Sequence, residues 1–297
     1  MTASEPTTLY LDAMATRFEV VLYGAEPSRL RAAGEDALAE IAALEKQLSR
    51  YRTDSDIGRI NALAAHEPVK VDARLFCLLQ LAVEITRATS GAFDITVAAL
   101  MDLWKMTAQD GRVPTDDEVR EAREQVGAEL IFFDKMHSTI SFDHQGVQID
   151  LGAIGKGYAI DRAVESLRES GVKSALIHGG TSTIYAIGVR PNGHPWSIGI
   201  RDPSTQDNCL HTVELQDNSL SVSAPHGRYL ISDSRDYGHV IDPRTGQPAR
   251  TAALAAIWGP DATHTDALAT ALLVSGDPGL DAIRRAFDGY DGLVVGP

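Results

Sequence analysis

The sequence predicts an α+β fold, in which β-strands and α-helices are interspersed without a regular alternation. Two long segments, residues 28–48 and 72–89, carry alanine and leucine at helical spacing. The second half of the chain instead contains many short β-type runs between turn residues. Strand–helix–strand units do not recur regularly, which argues against a doubly wound parallel sheet.

The first half of the chain is predicted to be mainly helical. In chain order we expect a strand at 17–24, helices at 28–48, 72–89 and 115–126, a polar loop at 49–56, and paired strands at 130–133 and 139–142. Thr115 is a good N-cap for the third helix, and Glu118 three residues later completes a capping box. A helical subregion near residues 72–127 follows from these assignments.

The second half is predicted to be rich in strands. We expect strands at 174–178, 183–188, 196–200, 211–215, 220–223, 229–232, 253–258 and 292–295, and helices at 263–274 and 279–287. No internal repeat, low-complexity tract or linker divides the chain. Residues 1–297 are therefore expected to form a single domain.

Composition and charge limit the possible partners. The 297 residues are 44% hydrophobic and 23% charged, as in a globular protein with a sizeable core. A formal net charge of -14 argues against nucleic acid as a partner. An anionic ligand would need local help from a metal ion or from helix amides. No stretch has the features of a membrane span, a signal peptide or a lipobox, so a cytoplasmic location is expected.

Two cysteines carry little information about function. Cys77 lies in the apolar run 75–79 and is predicted to pack in the core. Cys209 lies in a polar stretch, and the two do not make a metal-ligand spacing. We expect no disulfide between them.

The stretch from Asp150 to Tyr158, Asp-Leu-Gly-Ala-Ile-Gly-Lys-Gly-Tyr, suggests a phosphate-binding turn. We expect it to lie between the end of a strand at 146–149 and a helix at 159–170. Glycine allows close approach of the backbone, and free amides at a helix start face an anion. Its glycine spacing fits neither a Walker loop nor a Rossmann fingerprint. The structural alternative is a tight turn with an exposed lysine.

A second candidate group opens the predicted helix at 263–274. Asp266 and Thr270 are four residues apart and therefore lie on one helix face. A carboxylate and a hydroxyl at that spacing offer two oxygen ligands to a hard cation such as Mg²⁺. Alternatively, Asp266 interacts only with the positive helix start and Thr270 packs.

Two further segments could carry chemistry. His239 precedes a turn at 242–246 and could act as a general base, although a lone histidine more often has a structural hydrogen bond. Phe93 and Asp94 follow the helix at 72–89, and an aromatic ring with a carboxylate could hold a heterocycle. The alternative for Asp94 is an N-cap.

Taken together, these segments resemble the ApbE family of FAD:protein FMN transferases. The matching signals are 55–61 after Tyr51, 91–94 with Trp104 downstream, 150–158, 239–246 and 266–270. They occur in the family's order and, with Met14, span nearly the whole chain. The resemblance implies a T-fold-like α+β domain with mixed sheets and packed helices.

The resemblance also implies an activity and a set of site residues. Family members bind FAD and Mg²⁺, cut the pyrophosphate, release AMP and link FMN to a Ser or Thr of an acceptor protein. By this resemblance, His239 is the catalytic residue, and Mg²⁺ is held by Ala153 through its carbonyl, Asp266 and Thr270. The expected FAD contacts are Met14, Tyr51, Ala92, Phe93, Asp94, Asp150, Lys156 and Ile241.

Three hypotheses for function follow. The first is Mg²⁺-dependent transfer of FMN from FAD to an acceptor protein. The second is an Mg²⁺-dependent FAD pyrophosphatase, in which water is the nucleophile at the same site. The third is a non-catalytic FAD-binding protein, against which the combination of His239, Asp266 and Thr270 argues.

Overall fold

The computed structural model describes residues 5–205, 208–225, 230–232 and 235–297. It confirms the α+β class. The helices are α1 (Pro27–Leu48), α2 (Asp56–Leu63), α3 (Ala73–Ala88), α4 (Ala98–Gln109), α5 (Asp116–Arg123), α6 (Gly155–Glu169), α7 (Ala262–Ser275) and α8 (Asp277–Ala286). The strands are β1 (Thr7–Ala13), β2 (Thr16–Tyr23), β3 (Val69–Lys70), β4 (Ile131–Asp134), β5 (Thr139–Phe142), β6 (Ser174–Gly179), β7 (Thr183–Ile187), β8 (Trp196–Arg201), β9 (Cys209–Leu215), β10 (Asn218–Ser223), β11 (Leu230–Ser232), β12 (Arg235–Tyr237), β13 (Leu254–Gly259) and β14 (Asp291–Val295).

In the described part of the chain, seven strands form the central sheet, in the spatial order β1–β2–β6–β7–β10–β13–β14. Each neighbouring pair is antiparallel. Helices α1, α6 and α7 pack on one face. The hairpin of β8 and β9 covers part of the other face, where Trp196 and Leu215 form an apolar cluster with Leu220 and Leu254. The sheet is therefore sandwiched between helices and a hairpin.

The alternation of side chains along β2 explains why this sheet has a helix-covered face. Phe18, Val20 and Leu22 are fully buried, whereas the residues between them are less buried. Successive side chains of a strand point to opposite faces, so this period-2 pattern directs one row toward the helices. Helix α1 buries its own apolar row, including Ala37 and Ile41, in the same core.

Helix α7 is held at its N-terminus by two carboxylates. Asp261 is its N-cap and accepts a hydrogen bond from the His264 amide at 2.9 Å. Asp161, on α6, accepts from the amides of Ala262 at 2.8 Å and Thr263 at 2.7 Å. Both carboxylates satisfy amides that have no partner inside the helix. The start of α7 is therefore fixed relative to α6.

Most predicted elements are confirmed, including the paired strands β4 and β5 and the capping box of α5. The Thr115 hydroxyl accepts from the Glu118 amide at 3.3 Å, and the Glu118 carboxylate accepts from the Thr115 amide at 2.8 Å. The predicted strand at 229–232 is present as β11, and residue 229 lies outside the described residues. Helices α2 and α4 and strands β1, β3 and β12 were not predicted.

Several sequence-based expectations were wrong. Residues 146–149 do not form a strand; instead the Asn61 side chain accepts from the Ile149 amide at 2.7 Å and donates to its carbonyl at 2.9 Å. An asparagine side chain thus replaces a neighbouring strand there. Helix α6 begins at Gly155, four residues before the predicted start. Cys77 is exposed, because it lies on the solvent side of α3.

Asp94 is not an N-cap of α4, whose N-cap is Val97. Its carboxylate instead accepts from the Thr96 amide and hydroxyl, at 2.8 and 2.6 Å, and from the Ala128 amide at 3.1 Å. These bonds hold the turn before α4 against the segment that follows α5. The local preference of aspartate for turns therefore serves a long-range contact here.

None of the helices in the described part of the chain is both long enough and apolar enough to cross a membrane.

The Asp161 cap should make stability depend on pH in an unusual direction. Burial raises the pKa of Asp161 to about 6, so the folded protein holds the proton more tightly than the unfolded chain. This carboxyl therefore stabilises the fold below about pH 4, and the contribution is lost as the pH rises through about 6. We expect Asp161→Asn to remove this pH-dependent contribution to the free energy of unfolding, which amounts to about 3 kcal/mol.

The measurement is the free energy of urea unfolding of both proteins at pH 4, 5, 6 and 7. As the pH rises from 4 to 7, the free energy of unfolding of the wild type should decrease relative to that of Asp161→Asn. Parallel pH profiles would show that the Asp161 carboxyl does not titrate in this way. Asp143→Asn, which changes an exposed carboxylate, is the control.

Candidate functional site

The turn from Asp150 to Ile154 leads directly into α6, whose second residue is Lys156. The Asp150 carboxylate accepts from the Gly152 amide at 2.6 Å and so closes the first bend. Gly157 lies in the first turn of α6, where the amides have no acceptor within the helix. Here the Gly157 amide donates to Asp266 Oδ2 at 3.0 Å. The start of α6 therefore faces a carboxylate of α7.

Gly157 is required by the close approach of the two helices. An ideal Cβ at this position would overlap the carbonyl oxygen of Ala262 and would lie 2.8 Å from the Cβ of Asp266. Any side chain would therefore push α7 away from α6. The glycine in the Gly155-Lys-Gly157 sequence thus has a packing role in addition to any role in binding an anion.

Asp266 is a buried carboxylate at the centre of this contact, with 4% of its surface exposed. Oδ1 accepts from the Thr183 hydroxyl at 3.1 Å, and Lys156 Nζ lies 3.3 Å from the same oxygen. Lys156 Nζ also lies 3.4 Å from the Gly152 carbonyl oxygen. The ammonium therefore occupies a position surrounded by oxygen atoms from α7 and from the turn before α6.

Thr270 lies one helical turn after Asp266, as its spacing predicted. Its hydroxyl donates to the Asp266 main-chain carbonyl at 3.3 Å and lies 3.4 Å from the Ser223 hydroxyl of β10. This half-buried hydroxyl lies on the same face as the carboxylate, beside the strand that supports it. It remains a candidate ligand rather than a core residue.

The residues here fit a hard divalent cation with few protein ligands. A carboxylate, a hydroxyl and a main-chain carbonyl supply oxygen atoms only, which suits Mg²⁺. Within the described residues, no cluster of three or more His, Cys, Asp and Glu side chains could hold a metal ion. A cation at Asp266 would complete its shell with water or substrate oxygens. The position of the Lys156 ammonium shows that these oxygens already attract positive charge.

A buried arginine connects the turn to two other segments. Arg50 has a side chain that is 6% exposed, and its Nε lies 2.8 Å from Asp150 Oδ2. Its Nη1 donates to Asp102 Oδ2 at 3.1 Å, and Nη2 donates to Asp102 Oδ1. Burial alone would lower the pKa of Arg50, but the interactions with Asp102, Tyr51 and Asp150 together outweigh it, and the pKa lies above its ordinary value. Arg50 thus ties the Asp150 turn to α4.

Tyr51 follows Arg50 and is an exposed aromatic ring, with 71% of its surface accessible. The Arg50 guanidinium lies 4.8 Å from the ring centroid, and Lys105 Nζ lies 5.7 Å from it. Both distances are within the range of cation–π attraction. The ring therefore stands at the surface beside two cations, where it can offer its face to a planar ligand.

Ala92 and Phe93 are buried, at 1% and 3% exposure. The Phe93 ring packs in the main core, so the part of this ring that could contact a heterocycle is small. Asp94 is also buried, and burial raises its pKa. The Asp150 amide donates to the Ile95 carbonyl at 2.7 Å, which joins this segment to the Asp150 turn.

Ile241 anchors the segment that carries His239. Its side chain packs with Leu100 and Trp104 of α4 in a separate apolar cluster. Trp104 Nε1 donates to the Gly246 carbonyl at 2.8 Å. Helix α4 therefore holds both ends of the predicted turn at 242–246. His239 lies three residues before this turn and is exposed.

Met14 lies in the turn between β1 and β2, with a φ of 50°. Its amide donates to Glu45 Oε1 of α1 at 2.6 Å. The amide of Gly180, in the turn between β6 and β7, donates to the Arg17 carbonyl of β2 at 2.8 Å. The Met14 turn and the Gly180 turn therefore adjoin neighbouring strands, β2 and β6. Gly180 is followed three residues later by Thr183, whose hydroxyl bonds to Asp266.

The structure thus brings together the Asp150 turn, Lys156, Asp266 and Thr270 by direct contacts. Sequence reasoning missed Arg50, which lay in a segment assigned as polar loop, and Thr183, which lay in a predicted strand. The only signal for Arg50 was its place directly before Tyr51. A threonine in a strand has no distinguishing local signal.

Comparison with known proteins assigns this arrangement to a family. The model of the ApbE family matches residues 14–294. This chain belongs to the ApbE family. A relative named FAD:protein FMN transferase from Treponema pallidum is 32% identical over 300 residues, covering 96% of this chain and 83% of the relative.

Solved ApbE structures have the same fold. The ApbE protein from Thermotoga maritima matches with a TM-score of 0.88 and 30% identity, covering 98% of this chain and 94% of that chain. The flavinyl transferase ApbE from Pseudomonas stutzeri, in its apo form, matches with a TM-score of 0.83 and 26% identity, covering 99% and 96%. The ApbE fold therefore extends over nearly all of this chain.

Removing the Arg50 guanidinium should destabilise this ApbE protein strongly. In Arg50→Met the largely buried carboxylate of Asp150 loses its cation, and the exposed carboxylate of Asp102 loses its bidentate partner. We expect the free energy of unfolding to fall by about 3 kcal/mol, as for one partner lost from a buried pair. Arg50→Lys keeps the charge but lacks the planar guanidinium. Its free energy of unfolding should lie between those of the wild type and Arg50→Met.

The measurement is urea unfolding at pH 7. Arg52→Met is the matched control, because Arg52 pairs with Asp54 at the exposed surface two residues away and should leave stability unchanged. Equal losses for Arg50→Met and Arg52→Met would contradict the role of Arg50.

Proposed function

We propose that this chain transfers FMN from FAD to a Ser or Thr hydroxyl of an acceptor protein, releasing AMP, and that residues 1–297 act as one flavin-transfer domain. Membership of the ApbE family supports the reaction class, since relatives carry the name FAD:protein FMN transferase. The observation that carries the proposal is the oxygen-lined position between Asp266 and the Gly152–Lys156 turn.

We propose that this position takes Mg²⁺, held by Asp266, Thr270 and the Ala153 carbonyl. Such an ion, when bound, would neutralise the pyrophosphate of FAD and the charge that develops on the leaving AMP. A chain of net charge -14 needs a local cation to hold that dianionic linkage. The Lys156 ammonium lies beside the same position. Once this ammonium moves away from Asp266, it could contact a phosphate oxygen.

The remaining residues would hold the flavin and activate the acceptor. We propose that Tyr51 stacks on the flavin and that Met14, Ala92, Phe93, Asp94, Asp150 and Ile241 line the FAD site, the buried ones through their main chain. His239 would take the proton from the acceptor hydroxyl, which attacks the FMN phosphorus as the bond to AMP breaks. The exposed position of His239 leaves it accessible to a protein substrate.

Two other activities would use much of the same site. An FAD pyrophosphatase would let water replace the acceptor hydroxyl, and a non-catalytic flavin-binding protein would hold FAD intact. The exposure of His239 favours a protein acceptor over water, because a residue that only activates water needs no open surface. Transfer is therefore the first proposal and hydrolysis the second.

The test is incubation of purified protein with FAD, with and without MgCl₂, while AMP and free FMN are separated by chromatography. Transfer predicts Mg²⁺-dependent AMP release in the presence of a co-expressed acceptor, with an acceptor mass gain equal to one FMN adduct. Equal amounts of AMP and free FMN would instead indicate hydrolysis. Tight FAD binding without AMP, even with acceptor present, would indicate a flavin-binding protein.

Asp266→Ala should abolish the Mg²⁺-dependent reaction. The variant lacks the only carboxylate proposed for the metal, so AMP release should fall by more than the 10- to 100-fold typical for loss of an outer metal-site partner. Asp143→Ala, which removes an exposed carboxylate elsewhere, should release AMP at the wild-type rate. Unchanged turnover of Asp266→Ala in saturating MgCl₂ would remove this site from the mechanism.

Lys156→Met should have opposite effects on the metal and on the nucleotide. Without FAD, the variant no longer has an ammonium beside Asp266, so Mg²⁺ should bind more tightly in isothermal titration calorimetry. FAD should bind several-fold more weakly, because a phosphate contact is lost. Lys135→Met removes an exposed charge on the β4–β5 turn and controls for net charge. Weaker Mg²⁺ binding to Lys156→Met would contradict the proposed competition.

A further inference from the structure

The Asp266 carboxylate is held from two sides by groups that belong to different elements. The Thr183 hydroxyl of β7 donates to Oδ1 at 3.1 Å, and the Gly157 amide of α6 donates to Oδ2 at 3.0 Å. Thr183 is fully buried and Asp266 is 4% exposed. Each carboxylate oxygen therefore has one uncharged protein donor, and these two donors fix the plane of the carboxylate.

The backbone of Thr183 is itself fixed by the sheet. It begins β7 and is paired with Gly179 of β6 on one side and with Ser221 of β10 on the other. A strand bonded on both sides has little freedom to shift, so the hydroxyl is presented at a set position. The fold alone does not explain a hydroxyl here, because valine has nearly the same shape and a higher preference for strands.

Two lone pairs per oxygen allow the carboxylate to serve two purposes at once. One acceptor position on each oxygen is taken by Thr183 or Gly157. The other positions remain for the cation side, where Lys156 Nζ lies 3.3 Å from Oδ1 and 3.5 Å from Oδ2. Loss of the Thr183 donor would let the carboxylate rotate away from that side.

We propose that Thr183 is a positioning residue for the Asp266 carboxylate, which it orients toward the cation; this rests on the function proposed above. Outer partners of metal ligands usually act in this way, by fixing the ligand before the ion arrives. Thr183 itself does not touch the cation position. Its contribution is to the affinity for the ion rather than to the chemical step.

The test compares Thr183→Val, Thr183→Ser and Thr265→Val. Serine keeps the hydroxyl, and valine replaces it with a methyl group of similar size. Thr265 is the matched control, since it is a fully buried threonine on α7 directly before Asp266. Its hydroxyl bonds to Ser219 at 2.9 Å and Ser221 at 3.0 Å instead of to the carboxylate.

The first readout is the Mg²⁺ concentration that gives half-maximal AMP release, together with the rate in saturating Mg²⁺. Thr183→Val should raise the half-maximal concentration about tenfold, within the range known for such partners, while the saturated rate stays within about twofold. Thr183→Ser and Thr265→Val should match the wild type in both. An unchanged value for Thr183→Val, or an equal shift for Thr265→Val, would overturn the proposal.

The second readout does not depend on the metal. In crystal structures, the Asp266 carboxylate should turn away from the side occupied by Lys156 in Thr183→Val and keep its orientation in Thr265→Val. If the carboxylate turns in Thr183→Val but AMP release by the wild type does not depend on Mg²⁺, the positioning role is upheld and the proposed metal site is rejected. A carboxylate that stays in place in Thr183→Val would reject the positioning role, whatever the metal does.

Discussion

The close contact between the start of α6 and the start of α7 is the constraint on which the site depends. Gly157 lets α6 approach until its amide reaches the Asp266 carboxylate. Asp161 reaches from the next turn of α6 to the first amides of α7. One helix therefore both caps the other and supplies a donor to its buried carboxylate. If the helices moved apart, the cap and the oxygen-lined position would be lost together.

The central sheet supports the contact between α6 and α7, because α7 packs on it. Strands β7 and β10 lie side by side under α7, and their hydroxyl side chains face it. Thr183 bonds to Asp266, whereas Ser219 and Ser221 bond to Thr265. Buried hydroxyl groups need partners, so this row satisfies the hydroxyl that α7 buries against the sheet. Of these three strand hydroxyls, Thr183 is the one that bonds to the Asp266 carboxylate.

A second support joins segments that are distant in the chain. Arg50 places one guanidinium between Asp102 of α4 and Asp150 of the turn before α6. Helix α4 in turn holds the segment after His239 through Ile241 and Trp104. The Asp150 turn and the His239 segment are therefore linked through one helix. A change in α4 would reach both segments through these contacts.

The sequence by itself determined the α+β class, most strands and helices, the family, and the pairing of Asp266 with Thr270 on one helix face. These depend on local periodicity or on spacing within one element, which residues carry regardless of the rest of the chain. Only the tertiary structure decided that Phe93 is buried, that Asn61 replaces a strand beside Ile149, and that Arg50 and Thr183 face the site. Those outcomes depend on which distant segments meet, and contacts between distant segments leave no periodic signal in the sequence.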